Sequence, residues 1–308
     1  MRLITDISEG LTASLPASVA TIGFFDGVHR GHHFLISQVC RAAGERSLAS
    51  MLITFPVHPR MVMQADYQPR LLSTFDEKCA LLAKAGADAC VALPFTAELA
   101  ALSAREFMQQ VLHDRLKVRT LVIGYDHRFG RDRSEGFDDY VRYGADLGIE
   151  VLRAEAFQLG DIHVSSSVVR AFLEAGEVDV AARCLGYDYF LCGSVTSGQQ
   201  IGRTLGFPTA NLQVDDSLKL VPADGVYAVR VHVGAHVYKG MLNIGCRPTI
   251  DDDSRRTIEV HLFHFAGDLY GQSLRVEFLR RIRGEQKFHS REALARQLQQ
   301  DARACEEM

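Results

Sequence analysis

The period of the hydrophobic pattern changes once along the chain, near Gly186, and that change limits the folds open to it. Before it, apolar β-rich runs ("SVATIGFF", "LASMLITF", "DACVAL", "VRTLVIG", "GIEVLRA") alternate with helical-period segments at Phe34 to Ala43, Asp76 to Ala85, Ala104 to Leu116 and Asp138 to Leu147. Strands alternating with helices imply βαβ units around a parallel sheet. Two short helical stretches follow, "SSVVRAFLEAG" and "DVAARCL". From Tyr189 to about Arg283 the chain then reads as successive strands with Gly, Pro and Asp turns, which suggests a closed or sandwiched antiparallel sheet. A last helix runs from Arg291 to about Cys305. At 308 residues, two domains are expected, 1–185 and 186–308.

Ligands of open parallel sheets collect at the carboxyl ends of strands. Two segments sit where strands end: "GFFDGVHRGH" (Gly23 to His32) and "GYDHRFG" (Gly124 to Gly130). In the first, His29 and His32 are three residues apart at a helix start, so they share a face. Zinc would need further ligands, and no H-E-x-x-H or nearby Cys supplies them. A solvated loop with incidental histidines is the bland reading. The third uses the glycines, which let backbone approach a ligand, and the helix N-terminus, which favours anions. Imidazoles there can donate to phosphate oxygens. "VSSSVVR" (Val164 to Arg170) offers a second anion site, with Ser165 or Ser166 as a helix cap and Arg170 a turn later. By itself it could equally be a plain capped helix.

In the second half, "GRTLGFPTANL" (Gly202 to Leu212) is a glycine-rich loop without the Lys of a P-loop. Thr209 and Asn211 alternate, so an extended segment turns both to one side. Hydroxyl and amide oxygens are hard ligands suited to Mg²⁺, with phosphates completing the shell. Glu259 in "IEVHLFHF" alternates with Ile258 and Val260. It could face solvent, or point into a barrel mouth and act as a general base on a hydroxyl.

Bulk properties exclude other classes. A formal net charge of -4 gives no drive toward nucleic acid, and no apolar run approaches the ~18 residues of a membrane span. "MRLITDISEG" lacks the apolar core of a signal peptide. The seven cysteines are scattered, with no C-x-x-C, so neither a disulfide framework nor structural zinc is expected and a cytoplasmic setting fits. The sequence leaves self-association to homo-oligomers undecided.

"GFFDGVHRGH" with "VSSSVVR" resembles the G-x-F-D-x-x-H-x-G-H and I-S-S-T-x-x-R pair of the nucleotidyltransferase superfamily. Together with "GYDHRFG" and "TFPVHPR" (Thr54 to Arg60), it is similar to the N-terminal module of prokaryotic bifunctional riboflavin kinase/FAD synthetases. The features "GRTLGFPTAN", "DGVYAV", "NIGCRPT", "IEVHLF", "DLYG" and "IRGEQKF" resemble the riboflavin kinase module in the same order. The resemblance implies a Rossmann-like nucleotidyltransferase domain, then a six-stranded antiparallel β-barrel with a terminal helix, α/β overall. It implies phosphorylation of riboflavin to FMN by ATP, then adenylylation of FMN to FAD with release of pyrophosphate.

For the first step, the resemblance places ATP against Gly198, Gly202, Arg203, Gly206, Thr209 and Asn211, with the last pair also on Mg²⁺. Glu259 would be the base, and Arg283 would contact the flavin. For the second, Gly23, Phe24, Asp26, His29, Gly31, His32, Ser165, Ser166 and Arg170 would hold ATP, with His58, Asp126 and Phe129 toward the flavin. Small molecules are the partners implied. Five features depart from the pattern: Val168 stands where many relatives carry Arg, His127 replaces a Phe, "TFPVHP" moves a proline, "LGYDY" replaces L-G-R-P-Y and "IRGE" replaces L-R-P-E. Val168 and the altered His58 loop motivate an alternative, a flavin-binding regulatory paralogue with weak or lost adenylyltransferase activity. A different nucleotidyltransferase with an unrelated barrel is opposed by "GRTLGFPTAN".

Overall fold

The computed structural model describes residues 1–7, 14–64, 66–125, 127–131, 133–196, 206–246 and 256–308, except the side chain of Cys246. The chain divides into two compact units, Met1–Ser166 and Ser167–Met308.

The first unit is built on six parallel strands: β1 (Arg2–Ile4), β2 (Ser18–Ile22), β3 (Ala49–Thr54), β4 (Ala89–Ala92), β5 (Val118–Ile123) and β6 (Glu150–Arg153), in the order β1-β4-β3-β2-β5-β6. Its helices are α1 (Arg30–Arg46), α2 (Pro59–Met63), α3 (Phe75–Ala83), α4 (Ala97–Ala101), α5 (Ala104–Phe107), which continues as a π-helix over Met108–Arg115, and α6 (Phe137–Leu147). Central strands are buried along their whole length, as helices on both faces require: every residue of "SVATI" in β2 is buried. Alternation then sorts the core. Ala20, Ile22, Met51 and Ile53 meet Phe107, Leu112 and Tyr140 on one face. On the other, Leu52 packs with Ile36 of α1 and Leu82 of α3, and Val19 and Val122 with Val39.

β2 pairs with both β3 and β5, so strand order reverses beside it. A crevice at the carboxyl ends is the expected ligand site at such a switch point. The segments following β3, β2 and β5 are "FPVHP", "GFFDG" and "GYDHRFG". Sheet order therefore brings together motifs about a hundred residues apart in the chain. The hairpin of β7 (Gln158–Leu159) and β8 (Ile162–His163) leads into α7 (Ser166–Ala175). α8 (Val178–Leu185) follows, ending at Gly186, whose φ of 88° suits glycine.

The second unit holds a closed antiparallel barrel, β10-β13-β12-β11-β14-β9, from β9 (Phe190–Thr196), β10 (Ala210–Val214), β11 (Gly225–Val233), β12 (His236–Cys246), β13 (Arg256–Leu262) and β14 (Ser273–Arg283). Leu191, Leu212, Tyr227, Leu242, Val260 and Phe278 fill its interior. The C-terminal helix α9 (Arg291–Glu306) lies on the outside, where Ala302 and Cys305 cover Val226, Ala228 and Met241.

Candidate functional sites

The chain leaves β2 through an unusual backbone. Phe25, Gly27 and Val28 all have left-handed φ (55°, 75° and 38°). Two groups hold this costly turn. The buried Asp26 carboxylate accepts hydrogen bonds from the amides of Leu72 (2.9 Å) and Ser73 (3.1 Å), and the Ser73 hydroxyl accepts from Gly27 N–H (3.0 Å). Asp26 thus fastens the turn to the segment before α3. Asp26→Asn should cost about 1.5–3 kcal/mol, the scale of hydrogen bonds to a charged group, read as a lower urea midpoint.

The turn delivers His29 to the start of α1. His29 is 5% exposed, and its Nδ1 accepts from the backbone N–H of His32 (3.2 Å), capping the helix. With Nδ1 an acceptor, the neutral ring carries its proton on Nε2, as a donor. His32 stacks on His29 at 3.6 Å between centroids and meets Phe25 edge-on at 5.2 Å. Its Nδ1 is buried without a hydrogen-bond partner. Burial, then the charges of His29, His33 and Lys78, push His32 well below the ordinary 6.5. The ring is therefore neutral at pH 7. An NMR titration should find it losing its proton far below pH 6.5. Because the unfolded chain binds that proton more readily, stability contributed by neutral His32 falls as pH drops below 6.5.

Gly31 allows a second strand of the site to come close. A Cβ there would lie 3.3 Å from the Val164 carbonyl oxygen and 3.1 Å from the His29 ring. The "VSSS" segment docks beside it, and Ser166 Oγ donates to the Asp26 carbonyl oxygen at 2.9 Å. Ser165 is exposed just before α7, and Arg170 lies one turn beyond Ser166 on that helix. His29, His32, Gly31, Ser165 and Ser166 are thus gathered at one edge of the sheet, where donors and a helix N-terminus converge.

The expected flavin side is only partly described. His58 caps α2 through Nδ1, accepting from Arg60 N–H (3.2 Å), with Pro59 in the first turn. The moved proline of "TFPVHP" thus leaves His58 at a helix entry. Its ring lies 4.7 Å from Phe24, edge-on. Phe129 stacks on Tyr140 at 4.3 Å, and the Tyr140 hydroxyl accepts from Phe129 N–H (3.1 Å) and donates to Glu135 O (3.0 Å). Tyr140 was not singled out from sequence, since a lone helical Tyr reads as core. Asp126 lies outside the described residues, as do Gly198, Gly202 and Arg203.

In the barrel, register builds the second site. Asn211 of β10 and Asn243 of β12 both pair with Glu259 of β13, so the three share a face. Thr209 Oγ1 donates to Glu259 Oε2 at 3.1 Å. Of the two orientations open to Glu259, solvent face or barrel mouth, alternation selects the outer face. Ile258, Val260 and Leu262 occupy the interior, at 7%, 0% and 6% exposure, so Glu259 stands on the outer face. Thr209 also lines a pocket of about 490 Å³ with Pro208, Val260, Leu262, Asp268 and Tyr270. Gly206 turns with φ 82° ahead of it. Asn243 has the register of a site residue; the signal was its place two residues before Gly245 on an alternating strand.

Arg283 is largely enclosed. Its guanidinium makes a two-pronged ion pair with the buried Asp301 carboxylate (Nη2 2.8 Å, Nε 3.0 Å), and Gln297 also donates to Asp301 (2.9 Å). The pair ties the end of β14 to α9. Asp301 was readable as an acid inside the apolar stripe Leu294, Leu298, Ala302 and Cys305.

The hard oxygens of Thr209 and Asn211 suit a magnesium ion that shares its shell with phosphates, with the Glu259 carboxylate beside Thr209. Among the described residues, no cluster of three or more His, Cys, Asp or Glu could hold a metal, and no helix is long and apolar enough to cross a membrane.

Comparison with known proteins gives two family matches: FAD synthetase over residues 11–168 and riboflavin kinase over residues 185–308. A bifunctional riboflavin kinase/FMN adenylyltransferase of Pseudomonas fluorescens is 39% identical over 287 residues, 93% of this chain and 91% of that protein. Proteins of the same description are 36% identical in Escherichia coli K12, covering 98% and 96%, and 34% in Bacillus subtilis 168, covering 92% and 90%. A solved structure from Streptococcus pneumoniae, described as a macrolide-efflux protein, is 30% identical and covers 100% of both chains at a TM-score of 0.90.

Proposed function

Since the chain belongs to the bifunctional riboflavin kinase/FMN adenylyltransferase family, we propose that it makes FMN from riboflavin and ATP, and then FAD from FMN and a second ATP. The observation that carries this reading is the presence of both family modules on one chain. Relatives named for both activities favour the two-step enzyme over a regulatory paralogue. Kinase chemistry is assigned to 186–308 and adenylyl transfer to 1–185.

In the kinase step, Glu259 accepts the proton of the ribityl 5′-hydroxyl. The hydroxyl oxygen then bonds to the γ-phosphorus of ATP as ADP leaves. Glu259 is suited to this because it stands on an accessible outer face beside Thr209. Thr209 joins the base to the pocket at Pro208 and Asp268, which is of a size for part of the nucleotide. Thr209 and Asn211 would hold Mg²⁺, which when bound offsets phosphate charge. Gly198, Gly202, Arg203 and Gly206 are assigned to ATP. Arg283, held by Asp301, borders the flavin near α9.

In the adenylyl step, a phosphate oxygen of FMN bonds to the α-phosphorus of ATP, and the bond to the bridging oxygen breaks to release pyrophosphate. No covalent enzyme intermediate is needed. His29 Nε2–H and His32 donate to phosphate oxygens as charge shifts onto them. Gly23, Phe24, Asp26 and Gly31 shape the cradle, Ser165, Ser166 and Arg170 take the β/γ end, and His58, Asp126 and Phe129 lie toward the flavin. Rate comes chiefly from alignment. The scattered cysteines, with no C-x-x-C motif, favour a cytoplasmic enzyme acting on small molecules.

Incubation of the purified protein with riboflavin, ATP and Mg²⁺, followed by chromatography, should show FMN and then FAD. FMN without FAD would remove the synthetase half. Flavin binding with no turnover would overturn both halves.

A further inference from the structure

Lys78 belongs to no motif, yet its side chain is 2% exposed at the carboxyl edge of the parallel sheet. It sits on α3, whose start is fixed by a capping box of Thr74 and Glu77. Its Nζ donates to the carbonyl oxygens of Phe24 (3.0 Å) and Phe55 (2.8 Å). Those residues begin the segments after β2 and β3. The ammonium also lies 3.9 Å from the centroid of the Phe24 ring, a cation–π distance, and that ring meets His58.

No carboxylate among the described residues forms an ion pair with Lys78. The nearby Asp26 carboxylate is engaged by the Leu72 and Ser73 amides. An ammonium buried without a direct ion pair is expensive, even with the Asp26 carboxylate nearby, and an apolar side chain would fill the same space at less cost. What the charge supplies is a positive potential, behind a cradle built for anions, and a rigid bridge between two loops.

Resting on the adenylyltransferase reading above, we propose that Lys78 is a positioning residue for the flavin in adenylyl transfer: its buried ammonium clamps the loops after β2 and β3, and so holds His58, the flavin-side residue, against the Phe24 ring. It reaches the substrate only through those residues. Burial lowers Lys78 to about 8, against smaller upward effects of Asp26 on the turn, Cys79 on α3 and Cys90 on β4; His32 on α1 also feels its charge. Above that pH the clamp loses its cation.

The test is steady-state adenylylation by the full chain, with FMN and ATP varied separately, for the unmutated protein and Lys78→Met, and kinase turnover as a folding control. Lys78→Met should raise KM for FMN more than tenfold and leave KM for ATP and kinase turnover within twofold. In the unmutated protein, KM for FMN should climb as pH passes 8 while KM for ATP does not. Equal KM values in the two proteins would overturn the inference, as would a loss shared with ATP and the kinase step. A flat FMN profile through pH 8 in the unmutated protein would overturn it even if the variant failed to fold. An unmutated protein that makes FMN but no FAD would instead sink the adenylyltransferase reading itself.

Discussion

Glu259→Gln is expected to stop FMN formation while conversion of supplied FMN to FAD continues. The substitution keeps the shape of the side chain and an acceptor for the Thr209 hydroxyl, which lies 3.1 Å from the carboxylate. What it removes is basicity. Loss of a general base is typically worth about 10²–10⁴ in rate, or roughly 2.7–5.4 kcal/mol on the barrier. On the outer face, half-buried beside Thr209, the carboxylate lies outside the barrel's apolar interior, so its loss should act on turnover more than on folding. Kinase and adenylyltransferase rates measured on the same preparation decide it. Equal loss of both would show that Glu259 is structural, and retention of the kinase rate would show that another group accepts the proton.

The contrast between Glu259 and its neighbours shows what the sequence could convey. Alternation along "IEVHLF" was visible, but which parity faces inward depends on closure, which brings Leu242 and Ala210 beside Val260 from the two neighbouring strands. The parallel sheet was readable because each central strand is a continuous apolar run between helical periods. Several short elements escaped, among them β1 and β10. β1 is three residues at a sheet edge, too short for any period to show. β10, "ANLQV", alternates weakly and follows a proline, so it read as an extended segment and not a strand. Local propensity specifies elements best where burial repeats; short or half-exposed strands take their form from partners.

Site residues divide in the same way. His29, His32 and Gly31 announce themselves through spacing, since a helix start imposes it. Asp26, assigned to the ATP side, also holds a strained turn through Leu72 and Ser73, a segment about 46 residues away that no local pattern reveals. Arg283 likewise has its geometry set by Asp301 on another element. Lys78 is the extreme case: in sequence it is one lysine on an amphipathic helix, and only the tertiary fold makes it a buried cation between two loops.

His29→Ala should do the reverse of Glu259→Gln, lowering FMN adenylylation by about 10²–10³ and leaving kinase turnover intact. His29 does two things. Its Nδ1 caps α1, and loss of a cap costs about 1 kcal/mol. Its Nε2–H is the donor assigned to phosphate. His29→Asn separates them, since Asn is a strong cap but cannot reach as far as the imidazole Nε2. If phosphate contact is the role, Asn restores the urea midpoint lost in Ala while adenylylation stays depressed. If capping alone matters, Asn restores both. The stacking of His32 on His29 at 3.6 Å adds a further expectation: with the ring gone, His32 loses the neighbour that crowds and desolvates it, so its protonation moves back toward 6.5. A His32 titration in His29→Asn that stays where it is in the unmutated protein would show that the pair does not act as one unit.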